Sequence, residues 1–488
     1  MMGTVGLLPA GLTKEVRALF PTFTLILVAV VAGRLAEGHI MTAVGLLGYA
    51  FGTVALGAQS FGHEYSHRTL ALLLSLPTDR RRLYFYKLVV LAAMLATLAA
   101  VTLLLFRDIL NLGYRPHTEP SMLVLAAACG LFIAPFLTLV CRSTLAAAVF
   151  TIAIPGVLAT GADIVGGLLY GIDTAAAIDR FKLAVFWRGM FLICSVSAVA
   201  GWWMFTRLEV LEGHSHIQIP NPLRRHTVRA AASRTRHHPI AALIGKDLRL
   251  QQMAFVVAAL YVVSWAAFAW LDSRALDKPV GVLISLTLLY GGSLAILIGS
   301  LASAEERQLG TLEWQTLLPS PAWQQWAVKV GVTFGLALLL GAGVPALLHS
   351  LHGTTDYSGL RMWLQVAPIF VLLTAISLYL STLCRNPVGA MVVSFPTIAA
   401  TFASARLIQG GLYFALRGPE RQLNVGLYQA LQPPLAMGVG LVALLVWLAF
   451  LNHRTADRSV SRRAMQGLVI AGYFIVCALF LVARAAAR

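Results

Sequence analysis

Two stretches decide how this chain is read: EYSHRTLALLLSLPTDRRRLYFYK, from Glu64 to Lys87, and ERQLGTLEWQTLLPSPAWQQWAVK, from Glu306 to Lys329. With Glu64 set on Glu306 they run together without a gap. Thr69-Leu70 falls on Thr311-Leu312, Leu76-Pro77 on Leu318-Pro319 and Lys87 on Lys329, a shared E-x4-T-L-x5-L-P-x9-K. Two shorter matches keep the same order. Lys14-Glu15-Val16-Arg17 resembles Lys246-Asp247-Leu248-Arg249, and Cys141-Arg142-Ser143 resembles Cys384-Arg385-Asn386. Three matches in one order point to an internal duplication.

What lies between the matches is apolar. Charged residues are 12% of the 488 and hydrophobic ones 58%, against roughly 25% charged in soluble domains. Runs of about 20 apolar residues are long enough to cross a bilayer core. In lipid such runs must be helices, because backbone groups find no partner outside the segment. Spans are expected at 19–36, 40–62, 84–106, 121–141, 145–171 and 184–206, then at 253–271, 281–303, 327–349, 362–384, 388–410 and 428–452, with one more at 465–483. The expected fold class is an all-α polytopic membrane protein of two homologous six-helix units plus an extra C-terminal span. The expected organisation is a first unit at 1–206, a basic linker at 207–242, a second unit at 243–464 and the extra helix at 465–488.

A formal net charge of +17 would suggest a nucleic-acid partner in a soluble protein. Here the Lys and Arg gather in connections between spans, as the positive-inside rule requires. With a cytoplasmic N-terminus, the inside segments carry Lys14, Arg17, Arg80-Arg81-Arg82, Arg142, the linker arginines and the run from Arg454 to Arg463. The linker is expected to be a tether near anionic headgroups, with no nucleic acid bound. Met1 to Leu12 is short and uncharged, so no cleavable signal is expected and insertion relies on the first span. The five cysteines lie in or beside apolar runs without a C-x-x-C pair, which argues against a disulfide framework or a thiolate metal site.

His63-Glu64-Tyr65-Ser66-His67 fits H-E-x-x-H, in which two imidazoles on one helix face hold zinc and the glutamate polarises a bound water. The duplicated copy keeps the glutamate but replaces both histidines, with Glu305 at the first position and Leu309 at the second. No Asp-Gly pair is present to offer a third ligand. No metal site is expected, and the intramembrane metalloprotease stands as the weakest of three readings.

The segments Arg68 to Lys87 and Gly310 to Pro319 resemble the stretch between the second and third transmembrane helices of ABC-2 type ABC transporter permeases. There a glutamate precedes Gly-Thr-Leu-Glu, then Leu-Leu-Ser-x-Pro, a basic cluster and a lysine. The first copy has Arg68 in place of the glycine; the second has Trp323 and Gln324 in place of the arginines. The resemblance implies cytoplasmic coupling helices docked on ATP-binding subunits. One would involve Glu64, Thr69, Leu70, Leu76, Pro77, Arg80 and Arg81; the other would involve Glu306, Gly310, Thr311, Leu312, Glu313 and Pro319. It also implies interfacial elbow helices marked by Lys14, Arg17, Lys246 and Arg249. The stretch around Asp163, with Gly156, Gly161, Gly166 and Gly167 after Pro155, is expected to break into re-entrant helices, as that family's does.

A chain of this kind is not itself an enzyme. It lacks G-x-x-x-x-G-K-[ST], so ATP and Mg would be used by separate ABC ATP-binding subunits, two copies per chain, and no cofactor is bound here. The function expected is that of the permease subunit of an exporter in the cytoplasmic (inner) membrane, carrying an unidentified substrate across the lipid bilayer by alternating access. An ion-coupled secondary transporter with two six-span repeats is the alternative.

Overall fold

The computed structural model describes residues 10–35, 39–66, 79–111, 120–170, 175–207, 239–272, 280–311, 321–351, 360–416, 435–455 and 459–486. Among them there is no strand. Among the described residues eleven helices are long and apolar enough to cross a membrane, or 12 if the bent pair Ile240–Leu250 and Gln252–Ala267 is one span. The protein is an all-α, multi-pass membrane protein. The fifth expected span coincides with a helix, Thr144–Tyr170.

The chain forms two compact units, each assembled from non-contiguous pieces: Met1–Leu27, Leu47–Gly245 and Ala259–Val280, and Val28–Leu46, Lys246–Ala258 and Gly281–Arg488.

The helices in the first half are α1 (Ala10–Leu35), α2 (His39–Ser66), α3 (Arg80–Asn111), α4, α5 (Thr144–Tyr170) and α6 (Ala175–Thr206). Helix α4 runs from Pro120–Ala128 through a π turn, Cys129–Ile133, into Ala134–Cys141. At the π turn α4 meets α2 so closely that a Cβ on Gly57 would overlap the carbonyl oxygen of Gly130. Helix α4 ends where Arg142 turns left-handed, with φ of 51°, and Ser143 Oγ then accepts from the Ala146 N–H to start α5. Helix α5 continues through Pro155 to Tyr170, so the expected re-entrant break is corrected to one continuous helix. An internal proline removes only one backbone bond, which a transmembrane helix tolerates. The side chain of Asp163 lies outside the described residues.

One end of this unit is knotted by three rings, Phe61 of α2, Tyr84 of α3 and Phe205 of α6, with centroids 5.4 to 5.5 Å apart. Leu139 completes the buried group. Such tilted and edge-on pairs add to the area they bury.

The second half holds α7 (Pro239–Leu250), α8 (Gln252–Asp272), α9 (Val280–Leu309), α10, α11 (Leu360–Leu383), α12 (Pro387–Leu416), α13 (Leu435–Arg454) and α14 (Val460–Ala486). Helix α10 comprises Ala322–Leu338, a second π turn at Leu339–Gly343, and Val344–Leu351. The α2–α4 approach has a counterpart here: a Cβ on Gly299 of α9 would lie 2.6 Å from Ser377 Cβ and 2.7 Å from Thr374 O of α11. Asn386 Oδ1 accepts from the Gly389 N–H at 2.5 Å, so it caps α12 as Ser143 caps α5. The physical reason for the repeated Cys-Arg-Ser and Cys-Arg-Asn is thus a helix stop followed by an N-cap.

The last helix, α14, turns Met465, Leu468, Val469, Ile475, Val476 and Leu479 outward and buries Gln466. The Gln466 amide exchanges hydrogen bonds with Asn452 of α13 and accepts one from Tyr379 Oη of α11. Interhelical amide and hydroxyl bonds of this kind fix register where apolar packing alone is permissive.

The two elbows differ. In the second half α7 is a separate helix bent 57° from α8. The break falls at Gln251, whose amide reaches across to donate to the Ile298 carbonyl at 3.0 Å. In the first half Lys14 and Arg17 lie within the continuous α1, Ala10–Leu35, so a separate elbow helix there is corrected.

Candidate functional site: two buried lysine–carboxylate clusters

Helix α2 ends, and α3 begins, on either side of the segment 67–78. At the base of that segment four charged side chains converge. Lys87, 2% exposed, donates to both carboxylate oxygens of Glu15 at 2.9 Å and to the Ser60 carbonyl at 3.0 Å. Those three bonds use its three N–H groups. Glu64, also 2% exposed, lies 3.0 Å from Lys87 Nζ and 3.6 Å from Lys14 Nζ. Neither Glu64 oxygen accepts a hydrogen bond, since Lys87 directs its bonds to Glu15 and Ser60. Charge alone holds this carboxylate. The Lys87 ammonium also sits 5.4 Å from the centroid of Phe61, a favourable place for a cation.

The second unit repeats the construction with a different centre. Lys329 of α10 donates to the Ala302 carbonyl at 2.8 Å and to Glu306. Glu306 is fully buried and takes a second bond from Lys246 of α7 at 2.5 Å. Asp247 is buried beside them. Ser60 and Ala302 stand at the same offset from their lysines, as do Glu64 and Glu306, so the duplication seen in sequence holds at the level of hydrogen bonds. Each cluster contains two lysines and two carboxylates and is neutral overall. In a poorly hydrated place that balance is what makes burial tolerable, since an unpaired ion costs several kcal/mol.

What the clusters tie together is specific. One joins the start of α1, the end of α2 and the start of α3; the other joins α7, the end of α9 and the start of α10. Each lies where the helices flanking a segment of the duplicated motif, 67–78 or 312–320, come together. Of the residues expected from sequence, Glu64, Glu306, Lys14 and Lys246 belong to the clusters. Gly310 adopts φ of +71°, the left-handed geometry that ends a helix and favours glycine, and its N–H bonds the Arg307 carbonyl at 3.3 Å. Thr311 Oγ1 donates to the Glu306 carbonyl at 3.3 Å. Arg17 and Arg249 are exposed. Arg80 donates to the Thr206 carbonyl at the end of α6, and Arg81 lies over Trp202. Thr69, Leu70, Leu76, Pro77, Leu312, Glu313 and Pro319 lie outside the described residues.

Sequence reasoning noticed Glu15, Asp247, Lys87 and Lys329 as repeat positions without joining them to the glutamates. The signal was present: each repeat fragment contributes charges of both signs beside an apolar run, where an unpaired charge is costly. His63, the first histidine of H-E-x-x-H, is exposed, His67 lies outside the described residues, and Glu64 faces two lysines. Among the described residues no three His, Cys, Asp or Glu side chains are grouped to share a metal ion.

The turn between α11 and α12 offers a probe of the second unit. Burial pushes the Cys384 thiol up to about 11, against the pull of Arg307 and Arg463. At pH 7.5 its thiolate fraction is roughly two to three orders of magnitude below that of a free thiol. Maleimide labelling followed by peptide mapping is expected to find Cys384 slow in the folded protein and fast after denaturation.

No protein-family model, curated protein or solved structure matched the chain.

Proposed function

We propose that the chain is the transmembrane subunit of an ATP-binding-cassette exporter, an ABC-2-like permease carrying both six-helix units in one polypeptide. The observation that supports this most is the pair of equivalent clusters joining the helices that flank the two motif-bearing segments. A loop that receives force from a soluble ATPase must pass it to the spans without slack. An ion cluster joining the helices before and after the loop to the entry helix gives a stiff base of that kind.

In this reading segments 67–78 and 312–320 are coupling helices on the cytoplasmic side of the inner membrane, and the N-terminus is cytoplasmic. Two ATPase subunits bind ATP and Mg, closing and opening beneath them, and the units rock between inward and outward access. In this reading nucleotide and metal are bound by the partner subunits. Glu306 is fixed by two hydrogen-bonded lysines and Glu64 by charge alone, so the second coupling site is the stiffer of the two and transmits more strongly.

Purification from cross-linked native membranes is expected to bring down an ATP-binding subunit near two copies per chain. The E64Q/E306Q variant is expected to retain the partner while substrate-stimulated ATP hydrolysis falls about tenfold or more. A chain that elutes alone from cross-linked membranes overturns the proposal.

A further inference from the structure

Beyond the clusters, the first unit carries a groove of about 780 Å³ between the start of α3 and the end of α6. Its volume is within the roughly 300–1,000 Å³ of small-ligand clefts. The rim is basic: Arg81 and Arg82 open α3 and line the groove. Arg207 adds a third cation close by, stacked 4.6 Å from the Trp203 ring. The walls are apolar, with Tyr84, Phe85, Leu88, Ala198, Val199 and Trp202. Phe85 and Val199 are exposed for most of their surface.

The arginines here are not all equivalent. Arg80 is engaged by the Thr206 carbonyl. Arg81 keeps its guanidinium 5.9 Å from the Trp202 ring centroid. Arg81 and Arg82 are both exposed and form no ion pair with a described carboxylate. The nearby acid, Asp79, accepts from the Arg81 backbone N–H at 3.1 Å and so caps α3. The groove therefore offers guanidinium donors at one end and aromatic and aliphatic walls running into the span at the other.

We infer that this groove binds an anionic phospholipid, its phosphate on Arg81 and Arg82 and its upper acyl chains along Phe85, Val199 and Trp202. The charge argument selects the occupant: the groove lining contains two arginines and no carboxylate, and guanidinium forks match phosphate oxygens. The apolar walls separate a lipid from a free anion, because a soluble phosphate would leave them bare. The arginine distribution puts the site in the cytoplasmic leaflet, where anionic lipid concentrates. Because Arg81 precedes Lys87 by less than two turns of α3, a lipid seated there steadies the helix start that holds the first cluster. The inference stands on the membrane-spanning fold and does not require an ATPase partner.

The test is a lipid titration of the delipidated full-length chain in detergent, followed by native mass spectrometry. Phosphatidylglycerol is expected to bind tighter than phosphatidylcholine, and R81Q/R82Q to weaken phosphatidylglycerol by about 30-fold, at about fivefold per arginine. R107Q, removing an exposed arginine at the other end of α3, should leave it unchanged. Ala198→Trp fills the groove while keeping both arginines, and is expected to reduce lipid binding too. It serves independently if R81Q/R82Q does not fold. Millimolar inorganic phosphate displacing the lipid fully, with Ala198→Trp silent, would show an anion site and overturn the inference. Equal binding of the two lipids would overturn it as well, and is the outcome if these arginines instead meet an acidic protein surface.

Discussion

Lys87→Met is expected to destabilise the first unit by about 3–5 kcal/mol, the usual cost of removing one partner from a buried ion pair. The substitution keeps the length and apolar stem of the side chain but leaves Glu15 and Glu64 facing Lys14 alone, a cluster with one uncompensated negative charge. It also removes the extra bond that the Ser60 carbonyl accepts. Lys329→Met should cost less, because Glu306 retains the bond from Lys246. The decisive comparison is the double variant Glu15→Leu/Lys87→Met, which restores neutrality by removing one charge of each sign. It is expected to regain more than half of the lost stability, since replacing both members of a buried pair is often close to neutral. Thermal unfolding of the purified protein in mild detergent reads all three variants. A double variant no more stable than Lys87→Met would mean that the four groups do not act as one neutral cluster.

The second large effect is steric. Gly57→Ala places a Cβ against the Gly130 carbonyl oxygen, and that oxygen belongs to a backbone inside a π turn, so no side-chain rotation relieves the overlap. Overpacking of this kind costs about 1–3 kcal/mol, and Gly57→Leu should exceed it and reduce folded yield. Gly299→Ala is the matching change in the second unit, with contacts of 2.6 and 2.7 Å to α11. Gly156→Ala and Gly161→Ala in α5 are the controls: nothing lies within 4 Å of a Cβ at either place, and in a helix alanine is favoured over glycine by up to about 1 kcal/mol. Unfolding temperatures for Gly57→Ala equal to those of the α5 controls would show that α2 and α4 do not meet as closely as described.

The helical class was legible because lipid leaves so few options. Once Leu, Ala, Val and Ile recur over 20 residues, the backbone must satisfy itself, and the expected 84–106 appears within Arg80–Asn111. Pairing Glu64 with Glu306 was legible for a different reason: a repeated spacing survives in sequence even where intervening residues drift. The clusters were not legible as sites. Glu15, Glu64 and Lys87 come from three elements, and only their packing shows that Lys87 turns its protons to Glu15 and not to Glu64. The π turns at Cys129–Ile133 and Leu339–Gly343 left no mark either, because one extra residue in an apolar run does not alter composition. The resemblance implied elbows in both halves alike, whereas only the second half has a separate helix there, Pro239–Leu250, and the matching Lys14 and Lys246 fragments do not encode that difference.

The first cluster has a consequence for the order in which the protein is made. Lys87 follows Glu15 by 72 residues, so a growing chain inserts α1 and α2 with both acids in place and Lys14 as their one cluster cation. Until α3 is synthesised, that helical pair holds an excess negative charge at the membrane face and must keep it hydrated. The second unit repeats this order: Lys246 and Asp247 are made first, Glu306 follows Lys246 by 60 residues, and Lys329 comes last. Assembly of each half is thus timed by the arrival of one ammonium group, Lys87 in the first and Lys329 in the second.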